Sequence, residues 1–297
     1  MPTLALLLVA LIWGTTFVAV KTALAEIEPF HFLSLRFTIA ALASLPLVRA
    51  EAGFRRALLL GVPLGLALAG GFGAQTLGLT TTTPARSGFI TGLNVLLIPL
   101  WGAWILRRRP GWIPTGGLFV ATAGMWCLAQ PGAGGWAAGD SWTVLCAVFF
   151  GLHVVLLSKY GTISSSGAFL FSQLATTAVV GWIGHWVFEV SGAPSPAESS
   201  IGHTANLWTS VAVWRALLLT GVLASLVTTW LQMRYQPRTT PVRVAIIFAT
   251  EPLFAALFSV LLWSERLGTI GWIGGGLILA GMAIAELDST RAPAASS

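Results

Sequence analysis

The sequence predicts an all-α integral membrane protein in which ten transmembrane helices form two inverted five-helix repeats. Three observations lead there. The 297 residues are 56% hydrophobic and only 9% charged, whereas an ordinary soluble domain is about 45–50% apolar and about 25% charged, and the mean hydropathy is +0.83. The apolar residues gather into runs long enough to cross about 30 Å of hydrocarbon. The later part of the chain also repeats the earlier part.

Charged, Pro/Gly and polar clusters divide the chain into ten candidate helices, at residues 3–24, 30–49, 56–79, 84–106, 112–130, 137–159, 166–189, 208–233, 240–263 and 268–287. The first run ends near Ala23-Leu24-Ala25, which resembles a signal-peptidase site. No Lys or Arg precedes that run, Lys21 sits just before the cleavage point, and nine apolar runs follow, so it reads as an uncleaved first span. The long connection Ser191 to Asn206 is polar and holds no Lys or Arg. Residues 1–133 form the first five-helix repeat, 134–288 the second, and 289–297 a disordered tail.

The net charge of +6 does not point to nucleic acid, because the sixteen basic residues sit at the ends of apolar runs and form no stripe. Cytoplasmic loops accumulate Lys and Arg. With the N-terminus inside, eleven basic residues, among them Arg107-Arg108-Arg109, Lys159 and Arg243, face the cytoplasm. Four, Lys21, Arg86, Arg215 and Arg266, face the other side, and Arg36 lies within the second span. Both termini are therefore expected in the cytoplasm. Cys127 and Cys146 lie in apolar runs with no CxxC or His partner and read as packing residues, so neither a disulfide nor a metal is expected.

The repeat appears when residue i is set against i+157, without a gap, from Gln75 to Glu286. Gln75 meets Gln232, Thr82-Thr83-Pro84 meets Thr239-Thr240-Pro241, Arg86 meets Arg243, Gly117 meets Gly274, and Ala123-Gly124-Met125 meets Ala280-Gly281-Met282. A weaker match sets Lys21 beside Lys159 and Arg36 beside Gln173. Five spans are an odd number, so two successive units must lie in opposite orientations, as in many secondary transporters. The halves differ where Asn94 faces Glu251, and where Arg107-Arg108-Arg109 faces Ser264-Glu265-Arg266.

The stretches LIWGTTFVAVK (Leu11 to Lys21), SLRF (Ser34 to Phe37), TTPARSGFI (Thr82 to Ile90), TEPLFAALFSVLLWSERL (Thr250 to Leu267) and GWIGGGLILAGM (Gly271 to Met282) carry a family likeness. In them the chain resembles the drug/metabolite transporter superfamily, specifically its ten-span EamA-type members, and is most similar to bacterial amino-acid exporters, including those for aromatic amino acids. The resemblance implies export of small metabolites, often amino acids, across the bacterial inner membrane by alternating access around a central cavity. It implies no cofactor.

Polar residues inside the spans are the candidate site. A charge at mid-bilayer costs about 2.5–3.5 kcal/mol on insertion scales and therefore faces protein or water. Glu251 is the only charged residue between Val244 and Trp263. It reads as a proton carrier, a ligand for a substrate ammonium, or a structural carboxylate tied to a cation or to helix-break donors. Pro252 beside it removes a hydrogen bond to the Phe248 carbonyl and is expected to bend the helix, as is Pro99 in the fourth span. Lys21 and Arg36 flank the turn at Glu28-Pro29 and need an anion, whether Glu26, Glu28, a lipid phosphate or a transported carboxylate. Trp13, Phe17 and Lys21 recur at four-residue spacing on one helix face. Trp101 stands about a turn or two from Asn94 and Pro99. Gln75 and Gln232 occupy matched positions as interhelical hydrogen-bond partners or ligands. His153 is a hydrogen-bonded interior residue or a proton relay.

Gly61-x-x-x-Gly65, Gly88-x-x-x-Gly92 and Gly271-x-x-x-Gly275 suit close helix packing. No phosphate loop, HExxH, GxSxG or clustered acidic metal site is present, which weighs against an enzyme. No repeated selectivity-filter sequence favours a channel. The expected partners are a small-molecule substrate, with an amino acid foremost, and the lipid bilayer.

Overall fold

The computed structural model describes residues 2–49, 53–107, 111–129, 136–164, 166–191, 210–263 and 268–287. Among them the regular structure is entirely helical. The first half comprises α1 (Pro2–Gly14), α2 (Thr16–Ala23), α3 (Pro29–Ser44), α4 (Phe54–Thr81), α5 (Pro84–Gly92), α6 (Asn94–Ile105) and α7 (Trp112–Ala129). The second comprises α8 (Ala138–Tyr160), α9 (Gly167–Gly184), α10 (Val211–Leu218), α11 (Thr228–Tyr235), α12 (Pro241–Phe248), α13 (Glu251–Trp263) and α14 (Thr269–Leu287). A π-helical turn, His185–Val190, extends α9, and a longer one, Leu219–Val227, joins α10 to α11.

Eight of the expected runs are long and apolar enough to cross a membrane, among them Pro2–Ala23, Phe54–Thr81, Val211–Arg238 and Pro241–Phe258. The fifth and tenth runs appear as α7, of 18 residues, and as α14, whose apolar helix Thr269–Ile284 is shorter. Most of the 191–206 connection, the 289–297 tail, Arg108, Arg109 and Ser264-Glu265-Arg266 lie outside the described residues.

Local sequence explains where the helices start. Thr83 accepts a hydrogen bond from Arg86 N at 3.3 Å, and Thr240 accepts one from Arg243 N at 3.4 Å, so each TTP stretch supplies a side-chain cap followed by Pro at the first helical position. Ser166 and Ser210 cap α9 and α10 in the same way.

Three spans are interrupted rather than continuous. The breaks fall at Thr15 between α1 and α2, at Leu93 between α5 and α6, and at Ala249-Thr250 between α12 and α13. The prolines expected to bend the helices sit elsewhere. Pro99 lies inside continuous α6, six residues past the break at Leu93, and Pro252 is the second residue of α13. In a first turn the missing N–H of proline has no intrahelical partner to lose, so Pro252 opens a half-helix instead of kinking a whole one.

Packing repeats across the two halves. In the first half α4 packs on α8 and in the second its counterpart α11 packs on α1; α6 on α8 is answered by α13 on α1, and α5 on α8 by α12 on α1. The contacts α3 on α9 and α7 on α14 are each their own counterpart. In the last of these, a β-carbon at Gly124 would meet the Gly274 carbonyl at 2.6 Å, and one at Gly281 would meet the Gly117 carbonyl at 2.5 Å. Gly274 is the repeat image of Gly117, and Gly281 that of Gly124, so the two contacts are related by exchange of the halves. The tightest glycine contact of α14 is thus this pair and not Gly271-x-x-x-Gly275, where Gly275 meets only the Leu253 side chain at 3.0 Å. Gly61 and Gly65 do bring α4 onto α9, where Ser172 Oγ donates to the Leu58 carbonyl at 2.6 Å and Thr177 Oγ1 to that of Gly65 at 3.1 Å.

Leucine at Gly124 or at Gly281 should therefore overpack the same interface and cost about 1–3 kcal/mol in either case. Thermal melts of the two variants in detergent should fall together, while Gly276→Ala, which has open space at its β-carbon, should not lower the midpoint.

Candidate functional site

The two matched breaks meet. Gly92, at the end of α5, faces the Pro252 ring, with its β-carbon position 3.3 Å from Pro252 Cγ. Just past each break stands a buried polar residue as the first residue of a half-helix: Asn94 of α6, 4% exposed, and Glu251 of α13, 5% exposed. The halves hold them alike. A β-carbon at Gly14 would meet the Glu251 carbonyl at 3.0 Å, and one at Gly151 would meet the Asn94 carbonyl at 3.5 Å. Each half thus presses a glycine face against the broken span of the other.

The N-terminus of a helix leaves N–H groups without intrahelical acceptors and carries a partial positive charge, so a carboxylate there is favoured. Among the described residues no hydrogen bond or ion pair holds the Glu251 carboxylate; the two ion pairs are Arg86–Asp140 and His185–Glu189. The expectation of a tying cation is not met within that set. Asn94 Oδ1 and Gln232 Oε1 are likewise buried without a hydrogen-bond partner. Gln75 Nε2 donates to Thr91 Oγ1 at 3.4 Å, Thr91 Oγ1 lies 3.8 Å from Cys146 Sγ, and Cys146 is within electrostatic reach of Glu251. Gln75, Thr91 and Cys146 form one polar seam through α4, α5 and α8.

The remaining expected site residues are placed around this seam or away from it. Trp13 donates from Nε1 to the Ala224 carbonyl at 3.1 Å, in the π-helical turn, and its ring lies 5.1 Å from that of Phe248. Phe17 is buried in the cluster that includes Val20, Leu24 and Phe32. Trp101 donates to the Val148 carbonyl at 3.2 Å and packs against Gly151. His153 pairs with Gln173 Oε1 at 3.2 Å, and Gln173 donates to the Phe169 carbonyl, which joins them on the α9 side of the bundle.

Lys21 and Arg36 share no protein carboxylate among the described residues. Lys21 Nζ donates to the carbonyls of Leu79 at 2.6 Å and Thr80 at 3.0 Å, in the last turn of α4, where orphan carbonyls and the helix dipole both favour a cation. Arg36 is 1% exposed; its Nε donates to Ser225 Oγ at 2.9 Å and its guanidinium lies 4.3 Å from the Phe72 ring centre, a cation–π contact.

Sequence reading missed Thr91 and Asp140, and treated Cys146 as packing only. Asp140 is fully buried, accepts from Thr82 Oγ1 at 2.8 Å and from Ala137 N at 2.8 Å, and pairs with Arg86 Nη2 at 2.8 Å. The acid three residues after Ala137, at the start of α8, was the available signal. The π-helical segment Leu219–Val227, which receives both Trp13 and Arg36, leaves no signature in the sequence.

A cavity of about 520 Å³ lies at the end of the bundle where α6 and α8 finish and α12 begins. It is walled by Pro99, Gly102, Ile105 and Leu106 of α6, by Ser158 and Lys159 of α8, and by Pro237 and Thr239 to Val242. Of the expected site residues only Pro99 lines it; Glu251, Asn94 and the two glutamines do not.

The model of the EamA-like transporter family matches the chain twice, over residues 1–130 and 137–286. The chain belongs to the EamA-like transporter family. An uncharacterized transporter of Archaeoglobus fulgidus is 32% identical to this EamA-like protein over 287 residues, covering 96% of this chain and 85% of that one. The uncharacterized transporter YcxC of Bacillus subtilis is 27% identical, covering 77% and 74%, and a WAT1-related chloroplastic protein of Arabidopsis thaliana is 24% identical, covering 90% and 65%. A crystal structure shares the fold, with a TM-score of 0.77 at 20% identity over 99% of each chain. This EamA-like chain is a multi-pass membrane transporter of small molecules.

The difference between the two buried carboxylates is measurable. Asp140→Ala breaks a buried, fully bonded ion pair and should cost on the order of 3 kcal/mol. Glu251→Gln removes a charge that has no partner among the described residues and should leave the thermal midpoint unchanged or raise it. Melts of both variants in the same detergent check the pair.

Proposed function

We propose that this protein is a secondary transporter of ten spans in two inverted five-helix halves, exporting small metabolites, amino acids foremost, across the bacterial inner membrane with both termini in the cytoplasm. Transport proceeds by alternating access. The halves rock about the meeting of the broken spans, which is the plan by which discontinuous helices build a substrate site near mid-membrane.

The observation that carries this reading is the pair of half-helix starts at Asn94 and Glu251, at repeat-related positions, whose breaks meet where Gly92 faces Pro252, with a carboxylate that has no partner among the described residues on one side only. An acid held there without a cation stands ready to take a proton or a substrate ammonium. Asn94, at the matched position, offers the same shape without a charge, so each cycle handles one charge and not two. Gln75, Gln232, Trp13, Phe17 and Trp101 are the neighbours that give a small zwitterion polar and aromatic contacts. His153 belongs to the supporting structure, since Gln173 already engages its ring.

The test is transport in proteoliposomes loaded with a panel of amino acids and related metabolites, with and without a pH gradient. Glu251→Gln should reduce flux at least tenfold or abolish its dependence on the gradient. Asn94→Asp should shift that dependence, because it adds a second titrating group. Flux by Glu251→Gln that equals the parent's at every pH would refute the role of this carboxylate.

A further inference from the structure

We infer that Lys159 is the latch that closes the cavity end of the molecule in the opposite state of the transport cycle, by donating from Nζ to the carbonyls of Gln236 and Pro237. The inference rests on the inverted-repeat reading above and identifies a positioning residue within it.

At the far end of the bundle the latch is already made. Lys21 Nζ holds the carbonyls of Leu79 and Thr80 at 2.6 and 3.0 Å, and closes the tip of α2 against the last turn of α4. Beside it Thr82 is 4% exposed and bonded to Asp140. The repeat carries Lys21 to Lys159, Leu79 to Gln236, Thr80 to Pro237 and Thr82 to Thr239. Three of these images, Lys159, Pro237 and Thr239, line the 520 Å³ cavity. One set of residues is therefore sealed at one end of the molecule, and its image stands open at the other.

Lys159 is exposed and its ammonium makes no hydrogen bond among the described residues; the contact it does make is with the Tyr160 ring, 5.5 Å from Nζ to the ring centre. Its acceptors are near. Gln236 is already seated on α8 by its side chain, which donates to the Val154 carbonyl at 2.6 Å and to Ser158 Oγ at 3.1 Å. Closing the latch requires the lysine side chain to turn inward as the cavity collapses, with no remodelling of α8. The Gln236 carbonyl accepts from Thr239 N at 3.1 Å and keeps a second lone pair, and carbonyls at the end of a helix attract a cation. The other lock of the sealed end, Asp140, has no acidic counterpart at the start of α1, which reads Pro2-Thr3-Leu4. The lysine contact is the device that the sequence keeps at both ends.

The test follows the state of the cavity in the full-length protein. Ile105→Cys on the cavity wall is labelled with a membrane-impermeant maleimide, and labelling of the two native cysteines in the parent is subtracted. Lys159→Met should raise the labelling rate by favouring the open cavity, and Lys21→Met should lower it by releasing the sealed end. The two variants should differ by about tenfold, and Lys159→Arg should behave as the parent. Lys159→Gln repeats the measurement should the methionine variant not fold. Labelling that is unchanged in both Lys159→Met and Lys159→Gln while Lys21→Met shifts it would overturn the latch and leave alternating access standing. Labelling that ignores both lysines would overturn the latch and the rocking halves together.

Discussion

A helix broken inside hydrocarbon exposes backbone donors and acceptors that lipid cannot satisfy. This constraint governs the centre of the molecule. Breaks at Leu93 and at Ala249-Thr250 are sustainable only where protein covers them, and the cover comes from Gly14 and Gly151, whose missing side chains let α1 and α8 lie close against the backbone at Glu251 and Asn94. Thr250 adds its own hydroxyl, donating to the Ile247 carbonyl at 2.6 Å. The glycines, the breaks and the polar residues after them depend on one another, and the cavity and the sealed end are arranged around that junction.

Within this near-symmetric frame the charges are placed asymmetrically. Among the described residues Glu251 pairs with no cation, and Arg36 has an aromatic face and a hydroxyl in place of a carboxylate. Each is costly to hold in an apolar medium, and pairing the two would have offset only part of that cost.

Much of this was legible in the sequence. Apolar run length located the spans, and the TTP stretches marked the starts of α5 and α12 through capping chemistry that depends only on neighbouring residues. The spacing of 157 residues placed Asn94 opposite Glu251. What could not be read was whatever depends on a distant chain segment. Proline chemistry pointed to bends at Pro99 and Pro252, whereas the interruptions lie where the opposing glycine face arrives. Lys21 announced a need for negative charge, and the partner proved to be the end of α4, a backbone acceptor that no residue type advertises. Asp140 looked like an ordinary helix-start acid until Arg86 and Thr82 were seen to fold back onto it.

The contact between α7 and α14 has a different kind of significance. Because Gly124 faces Gly274 while Gly281 faces Gly117, each helix offers the other the same surface, as in an isologous dimer. Such an interface requires only one design, used twice. A half-length polypeptide carrying this surface has what it needs to form the same contact with a second copy of itself. Two such halves in one chain are free to diverge elsewhere, as Asn94 and Glu251 have.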